Sequence, residues 1–87
     1  MMLKDTCEMM CSEDYKERFK AEYYQTKTRY EKLKAFNTKI EAYCVTDGKV
    51  PMPKHDCPNE LLRRQQSIMG EYLHILELRA VIEGIVL

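Results

Sequence analysis

The stretch from Pro58 to Leu87, PNELLRRQQSIMGEYLHILELRAVIEGIVL, decides the fold because it carries more apolar side chains than one neighbouring helix can cover. One stripe follows the three-and-four spacing that is typical of a helix: Leu61, Ile68, Tyr72, Ile75 and Ile82. A second stripe lies beside it: Leu62, Met69, Leu73, Leu76 and Ala80. Leu78, Val81 and Ile85 extend the apolar surface to a third side. This surplus predicts a partner helix within the chain and self-association as well.

The partner helix is predicted upstream, over residues 12–44. Ser12, followed by two acids, is typical of a helix start, and no helix breaker follows before Tyr43. Alternating steps of three and four residues form a coiled-coil seam: Phe19, Tyr23, Thr26, Tyr30, Leu33, Asn37, Ile40 and Cys44. Asn37 weakens this seam, but a buried amide also demands a specific partner and so favours one register.

Residues 45–57 interrupt the helical pattern and predict a loop. Asp47-Gly48 is a turn signal, and Pro51 and Pro53 exclude helix. Pro58 is expected at the first position of the second helix, residues 58–85, with Cys57 or Asp56 as its cap. The prediction is an all-α fold, a long antiparallel two-helix hairpin forming a single domain over residues 1–87. Residues 1–11 are expected to form either a short helical segment that braces the hairpin or a frayed terminus.

Gly70 lies inside the second predicted helix, where glycine costs about 1 kcal/mol relative to alanine. We interpret it as a point of close approach by another backbone. With 87 residues, the domain also needs help to bury its apolar surface. A symmetric homo-oligomer supplies that help, and six residues of the second helix are its predicted interface: Met69, Tyr72, Leu73, Leu76, Val81 and Ile85.

Composition argues against several classes of function. The formal net charge is zero, from 14 basic and 14 acidic residues, so no long-range field attracts DNA, RNA or an anionic membrane. Lys4, Asp5 and Glu8 interrupt the N-terminal apolar residues, which argues against a secretory signal, and no run reaches the roughly 18 apolar residues of a membrane span. A cytoplasmic location is expected.

The cysteines and histidines do not predict a metal site, a cofactor or catalysis. The four cysteines, Cys7, Cys11, Cys44 and Cys57, are the right number for a zinc site. However, Cys11 and Cys44 lie at opposite ends of the first predicted helix, too far apart to bind one metal ion. The two histidines, at positions 55 and 74, do not converge with a nucleophile in a pocket. We therefore expect a binding protein with no metal and no cofactor.

Residues 15–30, YKERFKAEYYQTKTRY, interleave aromatic and basic side chains. Tyrosine rings stack on bases and basic groups pair with phosphate, so such a surface suits a nucleotide. The alternative is that the tyrosines are core and the charges a solvated face. Arg79 interrupts the apolar sector of the second helix and predicts either a carboxylate partner, Glu22 or Glu17, or an anionic ligand.

The pattern DYKERFKAEYYQTKTRYEKLKAF, a turn, and CPNELLRRQQSIMGEYLHILELRAVIEGI resembles a group of small phage-encoded proteins typified by a protein of crAss-like gut phages. The resemblance covers residues 14–85. Three segments carry it: Tyr15-x-x-Arg18, Tyr30-x-x-Leu33, and Leu62-x-x-Gln65-x-x-x-Met69-x-x-Tyr72-x-x-x-Leu76-x-x-Arg79. The hairpin layout is similar to that of phage sponges that sequester the signals of CBASS and Thoeris immunity, although the Ala-x-Met-Trp segment of those sponges is absent here.

The resemblance implies a phage anti-defence protein in the cytoplasm of an infected bacterial cell. It would hold a small anionic nucleotide signal, a cyclic nucleotide or a cyclic ADP-ribose, between subunits without cleaving it. The candidate ligand-binding residues combine rings for stacking with cations for phosphate: Tyr15, Arg18, Tyr24, Lys27, Arg64 and Arg79. One alternative is a protein inhibitor that covers a bacterial defence effector, as anti-CRISPR proteins do. Another is a structural accessory phage protein.

Overall fold

Two helices pack against each other as a hairpin, as the sequence predicted. The structure is a computed structural model that describes residues 14–87. Helix α1 is Tyr15–Val45 and helix α2 is Asn59–Glu83. The hairpin measures 49 Å along its longest dimension. The predicted segment 1–11, with Cys7 and Cys11, and the expected helix start at Ser12 lie outside the described residues.

Asp14 caps helix α1. Its carboxylate accepts hydrogen bonds from the backbone N–H groups of Lys16 at 2.8 Å and Glu17 at 3.3 Å. These are two of the donors that a helix start leaves without a helical partner. The negative charge also lies at the positive end of the helix dipole.

Helix α2 begins one residue later than the sequence predicted, because Pro58 is its cap and not its first residue. The Pro58 carbonyl accepts from the N–H groups of Leu61 and Leu62, and an extended backbone at Pro58 starts the helix without a side-chain cap. At the other end, Gly84 adopts φ 72°, a left-handed conformation that stops the helix at Glu83. Ile85, expected inside the helix, follows this turn and folds back into the core.

The loop turns at the predicted Asp47-Gly48 pair. Both residues have positive φ, 52° and 83°, and the Gly48 N–H donates to the Tyr43 carbonyl at 3.0 Å. The second half of the loop returns over α1, where the ring of His55 packs edge-on against Phe36 with centroids 5.5 Å apart.

The predicted seam of α1 is the face that meets α2. Five of its members are buried: Phe19, Tyr23, Thr26, Asn37 and Ile40. Cys44 is exposed instead, because it lies at the end of the helix where the chain turns away. From α2, Leu73, Leu76 and Ala80 join Phe19, Tyr23 and Ile85 in one hydrophobic cluster.

Only one of the two apolar stripes of α2 faces α1. Leu73, Leu76 and Ala80 are buried, whereas every member of the first stripe is exposed: Leu61, Ile68, Tyr72, Ile75 and Ile82. Thus Leu73, Leu76 and Ile85, predicted for an oligomer interface, are already buried within one chain, while Val81 and Tyr72 remain accessible. Within residues 14–87, neither helix is long and apolar enough to traverse a bilayer.

Two tyrosines bridge the helices in opposite directions. Tyr23 of α1 donates to Glu77 of α2 at 2.7 Å, and Tyr72 of α2 donates to Glu22 of α1 at 3.1 Å. Burial and the hydrogen bond to Glu77 raise the pKa of Tyr23 from 10.0 to about 12. Burial and the Glu22 carboxylate raise the pKa of Tyr72 as well.

The raised pKa of Tyr23 predicts a loss of stability at high pH. In the unfolded chain the phenol loses its proton near pH 10, whereas the folded protein retains it to about pH 12. The stabilisation by this group is therefore complete below pH 10 and falls as the pH rises to 12, by on the order of 2 kcal/mol. Urea unfolding between pH 8 and 12 should show this decline in the wild type.

The Tyr23→Phe variant is the control, because it lacks the titrating hydroxyl and keeps the buried ring. Its free energy of unfolding should fall less steeply between pH 10 and 12. The other tyrosines and the lysines titrate in both proteins and cancel in the difference. Parallel curves for the two proteins would contradict the assignment.

Candidate ligand-binding groove

Tyr15 and Arg79, two of the predicted ligand-binding residues, lie together near the end of the hairpin where α1 starts and α2 stops. The Arg79 guanidinium donates to the Tyr15 hydroxyl at 2.7 Å and to Glu83 at 3.1 Å, and Tyr15 donates to Glu83 at 2.9 Å. Arg79 also lies over the Phe19 ring, 5.2 Å from its centroid. The hydrogen bond to Glu83 raises the pKa of Tyr15.

The acid beside Arg79 is therefore Glu83, and not Glu22 or Glu17 as the sequence analysis expected. Glu83 lies four residues further along the same helix, a spacing that brings opposite charges together. Because its carboxylate balances the guanidinium, an anion at this cluster would compete with an acid that is already in place.

Tyr24 and Lys27 lie around the Tyr23 ring. Tyr24 meets it edge-on with centroids 5.2 Å apart, and the Lys27 ammonium is 5.8 Å from its centroid. Arg18 is exposed on α1. Arg64 lies on α2 beside the exposed residues Leu61 and Ile68. The structure thus pairs Tyr15 with Arg79 and Tyr24 with Lys27, and it does not bring all six residues into one pocket.

A groove of about 900 Å³ opens between the helices on another face of the hairpin. One residue of α1 lines it, with seven of α2: Tyr30, Arg63, Gln66, Ser67, Gly70, Glu71, His74 and Ile75. Its shape depends on Gly70: a Cβ placed there would lie 3.2 Å from Cε1 of Tyr30. The close approach predicted at Gly70 is thus made by the ring of Tyr30, and not by a backbone.

Six of the eight residues that line the groove carry polar side chains. Within residues 14–87, Arg63 has no ion pair with an acid, so its charge is available to a ligand. His74 lies 3.8 Å from Glu77, an ion pair when the imidazole is protonated. Glu77 also accepts from Tyr23, whose ring lies below Lys27. This chain of contacts connects the predicted Tyr24 and Lys27 to one end of the groove.

A second cavity, of about 450 Å³, adjoins the groove on the side of the loop. Arg63 and Gln66 line both spaces. Asn37 lies in its wall and donates to the Leu62 carbonyl at 3.2 Å and to Gln66 at 2.9 Å. The buried amide of the seam therefore has the specific partners that the sequence predicted.

Sequence analysis did not identify Arg63, Ser67 or His74 as site residues. The sequence feature that could have located the groove is Gly70. A glycine is costly inside a helix, and here it lies where the two helices approach closely. Arg63 and Arg64 are adjacent in sequence, and a helix turns them about 100° apart, so only the position of α1 distinguishes them.

A family model described as Sequestin matches residues 13–82, a span that includes both helical segments of the groove. No curated protein and no solved structure matches the chain.

The contact between Gly70 and Tyr30 predicts a coupling between the two positions. Gly70→Ala gains about 1 kcal/mol of helix propensity but places a methyl group against the Tyr30 ring. In the wild-type background we expect the free energy of unfolding to rise by less than this, whereas in a Tyr30→Ala background the whole gain should appear. Urea unfolding of the four proteins gives the difference as a double-mutant cycle. An equal effect of Gly70→Ala in both backgrounds would contradict this contact.

Proposed function

Since this chain belongs to the Sequestin family, we propose that it sequesters a small nucleotide signal in the groove beside Gly70 and holds it without cleavage. The signal is a cyclic nucleotide or a cyclic ADP-ribose of a bacterial immune pathway, and the protein acts for a phage against that pathway. The family match is the observation that carries this proposal, because the name denotes sequestration and so binding rather than catalysis. The resemblance to phage sponges supports the choice of signal.

The chemistry of the groove suits a nucleotide. Tyr30 lines the groove, and the stacking of a base on an aromatic side chain is worth about 1 to 3 kcal/mol per base. The Arg63 guanidinium offers a planar fork of donors for phosphate oxygens, and no acid among residues 14–87 forms an ion pair with it. Ser67 and His74 add polar groups along the same wall. The cluster of Tyr15 and Arg79 is less suited to bind phosphate, because the Glu83 carboxylate already pairs with the Arg79 guanidinium.

The adjacent arginines provide a sharp test of the site. Charged hydrogen bonds are worth about 1.5 to 3 kcal/mol, so Arg63→Ala should weaken the binding of the signal roughly 10- to 100-fold. Arg64→Ala removes an equal charge from the same helix. Arg64 does not line the groove, although it borders a neighbouring surface depression with Arg63 and Ser67, so its loss should weaken binding by no more than about threefold. Thermal-shift screening of cyclic dinucleotides, cyclic trinucleotides and cyclic ADP-ribose isomers selects the ligand, and calorimetry then measures the dissociation constants.

The bound ligand should be recovered intact when the complex is heated and the supernatant analysed by mass spectrometry. Recovery of cleaved ligand would mean that the protein degrades the signal as an enzyme, and it would contradict sequestration. A loss of binding in Arg64→Ala but not in Arg63→Ala would move the site to the side of α2 that carries Arg64, one of the six candidate residues of the sequence analysis. No shift with any of these signals would contradict the proposal for them.

We further propose that the sequestering form is a homo-oligomer assembled through the exposed stripe of α2. Four aliphatic residues follow at intervals of seven, with 51%, 58%, 52% and 82% of each exposed: Leu61, Ile68, Ile75 and Ile82. An apolar residue at every seventh position supplies one of the two apolar positions per heptad of a left-handed coiled coil, and these four side chains are left exposed by α1. A second copy of α2 is the occupant that matches its length and spacing.

This arrangement predicts that a charge in the stripe separates the subunits. Ile68→Glu should lower the mass measured by size-exclusion chromatography with light scattering, because burying an unpaired carboxylate between helices is costly, and Ile68 does not line the groove. Val45→Glu is the matched control, since Val45 is 74% exposed on α1 and lies outside the stripe. A wild type that is monomeric at every concentration would contradict the assembly. It would favour the alternative of an inhibitor that covers a bacterial defence protein.

A further inference from the structure

The groove carries two exposed charges of opposite sign on α2. Arg63 and Glu71 both line it. Neither side chain has an ion pair with any of residues 14–87. They are eight residues apart, which at 1.5 Å per residue is about 12 Å along the helix. The groove therefore offers a cation and an acid at separate positions along its length.

Glu71 limits what an anionic ligand can place beside it. An ionised carboxylate accepts hydrogen bonds and donates none, and it repels a phosphate. Glu71 directly follows Gly70, the residue against which the Tyr30 ring packs. A nucleotide that lies against Tyr30 therefore binds best when it turns hydroxyl or amino groups, and not phosphate, towards Glu71.

The cations of the groove are equally restrictive. Among the lining residues within 14–87, Arg63 is the only lysine or arginine, and His74 lies beside Glu77. In a cyclic dinucleotide the two phosphates lie on opposite sides of the ring, so one guanidinium can reach only one of them. In a cyclic ADP-ribose they form a pyrophosphate, and the planar fork of one guanidinium can contact oxygens of both.

The sugars of the two ligand classes differ in the same sense. Each ribose of a cyclic dinucleotide has one of its 2′ and 3′ hydroxyls esterified, whereas cyclic ADP-ribose and its isomers keep at least one ribose with both hydroxyls free. Two neighbouring hydroxyls can donate to the two oxygens of one carboxylate. An acidic residue binds a ribose hydroxyl of NAD in Rossmann folds by the same chemistry.

We propose that Glu71 determines the specificity of the groove by accepting both hydrogen bonds from a ribose 2′,3′-diol, while Arg63 holds the pyrophosphate of the same molecule. This inference rests on the proposed function and narrows its ligand to the cyclic ADP-ribose class. A cyclic dinucleotide would leave its second phosphate without a cation of the groove, and its riboses would offer Glu71 one hydroxyl each.

Glu71→Ala tests the proposal, because removing the carboxylate affects the two ligand classes differently. Calorimetry on the full chain compares the cyclic ADP-ribose isomers with cyclic di-AMP, which carries the same base. The wild type should bind one of the isomers at least tenfold more tightly than cyclic di-AMP. In Glu71→Ala the affinity for that isomer should fall roughly 10- to 100-fold, while the affinity for cyclic di-AMP stays the same or rises.

Glu31→Ala is the matched control. It removes an equal charge from an exposed residue next to Tyr30 in sequence, and Glu31 does not line the groove. Both affinities should stay within about threefold of wild type. Because Glu71 is exposed and alanine favours helix, Glu71→Ala should melt no lower than wild type, which distinguishes a loss of binding from a loss of fold.

Deoxy analogues locate the contact. For the isomer that binds, replacing either hydroxyl of the diol by hydrogen should weaken binding to the wild type at least threefold. The same replacement should have no such effect on Glu71→Ala, which lacks the acceptor. An equal loss in both proteins would place the diol away from Glu71 and overturn the proposal.

The outcomes separate the two proposals. If cyclic di-AMP binds the wild type as tightly as every cyclic ADP-ribose isomer, or if Glu71→Ala leaves the preference between the classes unchanged, the role of Glu71 is overturned. The proposed function then stands as long as Arg63→Ala still weakens binding. Failure of all these probes to bind the wild type overturns this proposal together with the proposed function for these signals.

Discussion

Hydrophobic packing between the two helices is concentrated at the end of the hairpin where α1 starts and α2 stops. Phe19 and Tyr23 meet Leu76, Ala80 and Ile85 there. Towards the loop the contacts between the helices include polar groups as well, because Asn37 contacts Gln66 and the Leu62 carbonyl while Ile40 is buried nearby. The apolar end supplies the stability that a small hairpin needs. The groove and the cavity both lie beside the part of the seam where Asn37 contacts Gln66.

The fold was predictable to the extent that local pattern decides it. The three-and-four spacing located the seam correctly from Phe19 to Ile40, since an amphipathic helix buries whichever side is apolar. Asp47-Gly48 located the turn because few other pairs tolerate two positive φ angles. Pro58 was placed one residue too far into the helix. Proline suits both positions, and the sequence does not distinguish them.

The candidate site was less predictable, because it depends on which residues face each other across the helices. The aromatic and basic segment of α1 drew attention to Tyr15 and Arg18, but the groove forms around Tyr30, which lies opposite a glycine of α2. Of the two alternatives expected for Arg79, an acidic partner or an anionic ligand, the structure shows an acidic partner, but not Glu22 or Glu17. The partner, Glu83, was available from the i,i+4 spacing alone. Two apolar stripes were also apparent in α2, yet only the position of α1 showed that the second one, with Leu73 and Leu76, is internal.

The two tyrosine bridges affect how the hairpin can deform. Tyr23 reaches from α1 to Glu77, and Tyr72 reaches from α2 to Glu22. A shear of one helix along the other by a single turn, about 5.4 Å, would break both bonds at once and separate Asn37 from Gln66. Helix pairs in switching proteins often move by such a shear. Here the two bridges oppose such a shear, and moving the helices past each other would cost both hydrogen bonds.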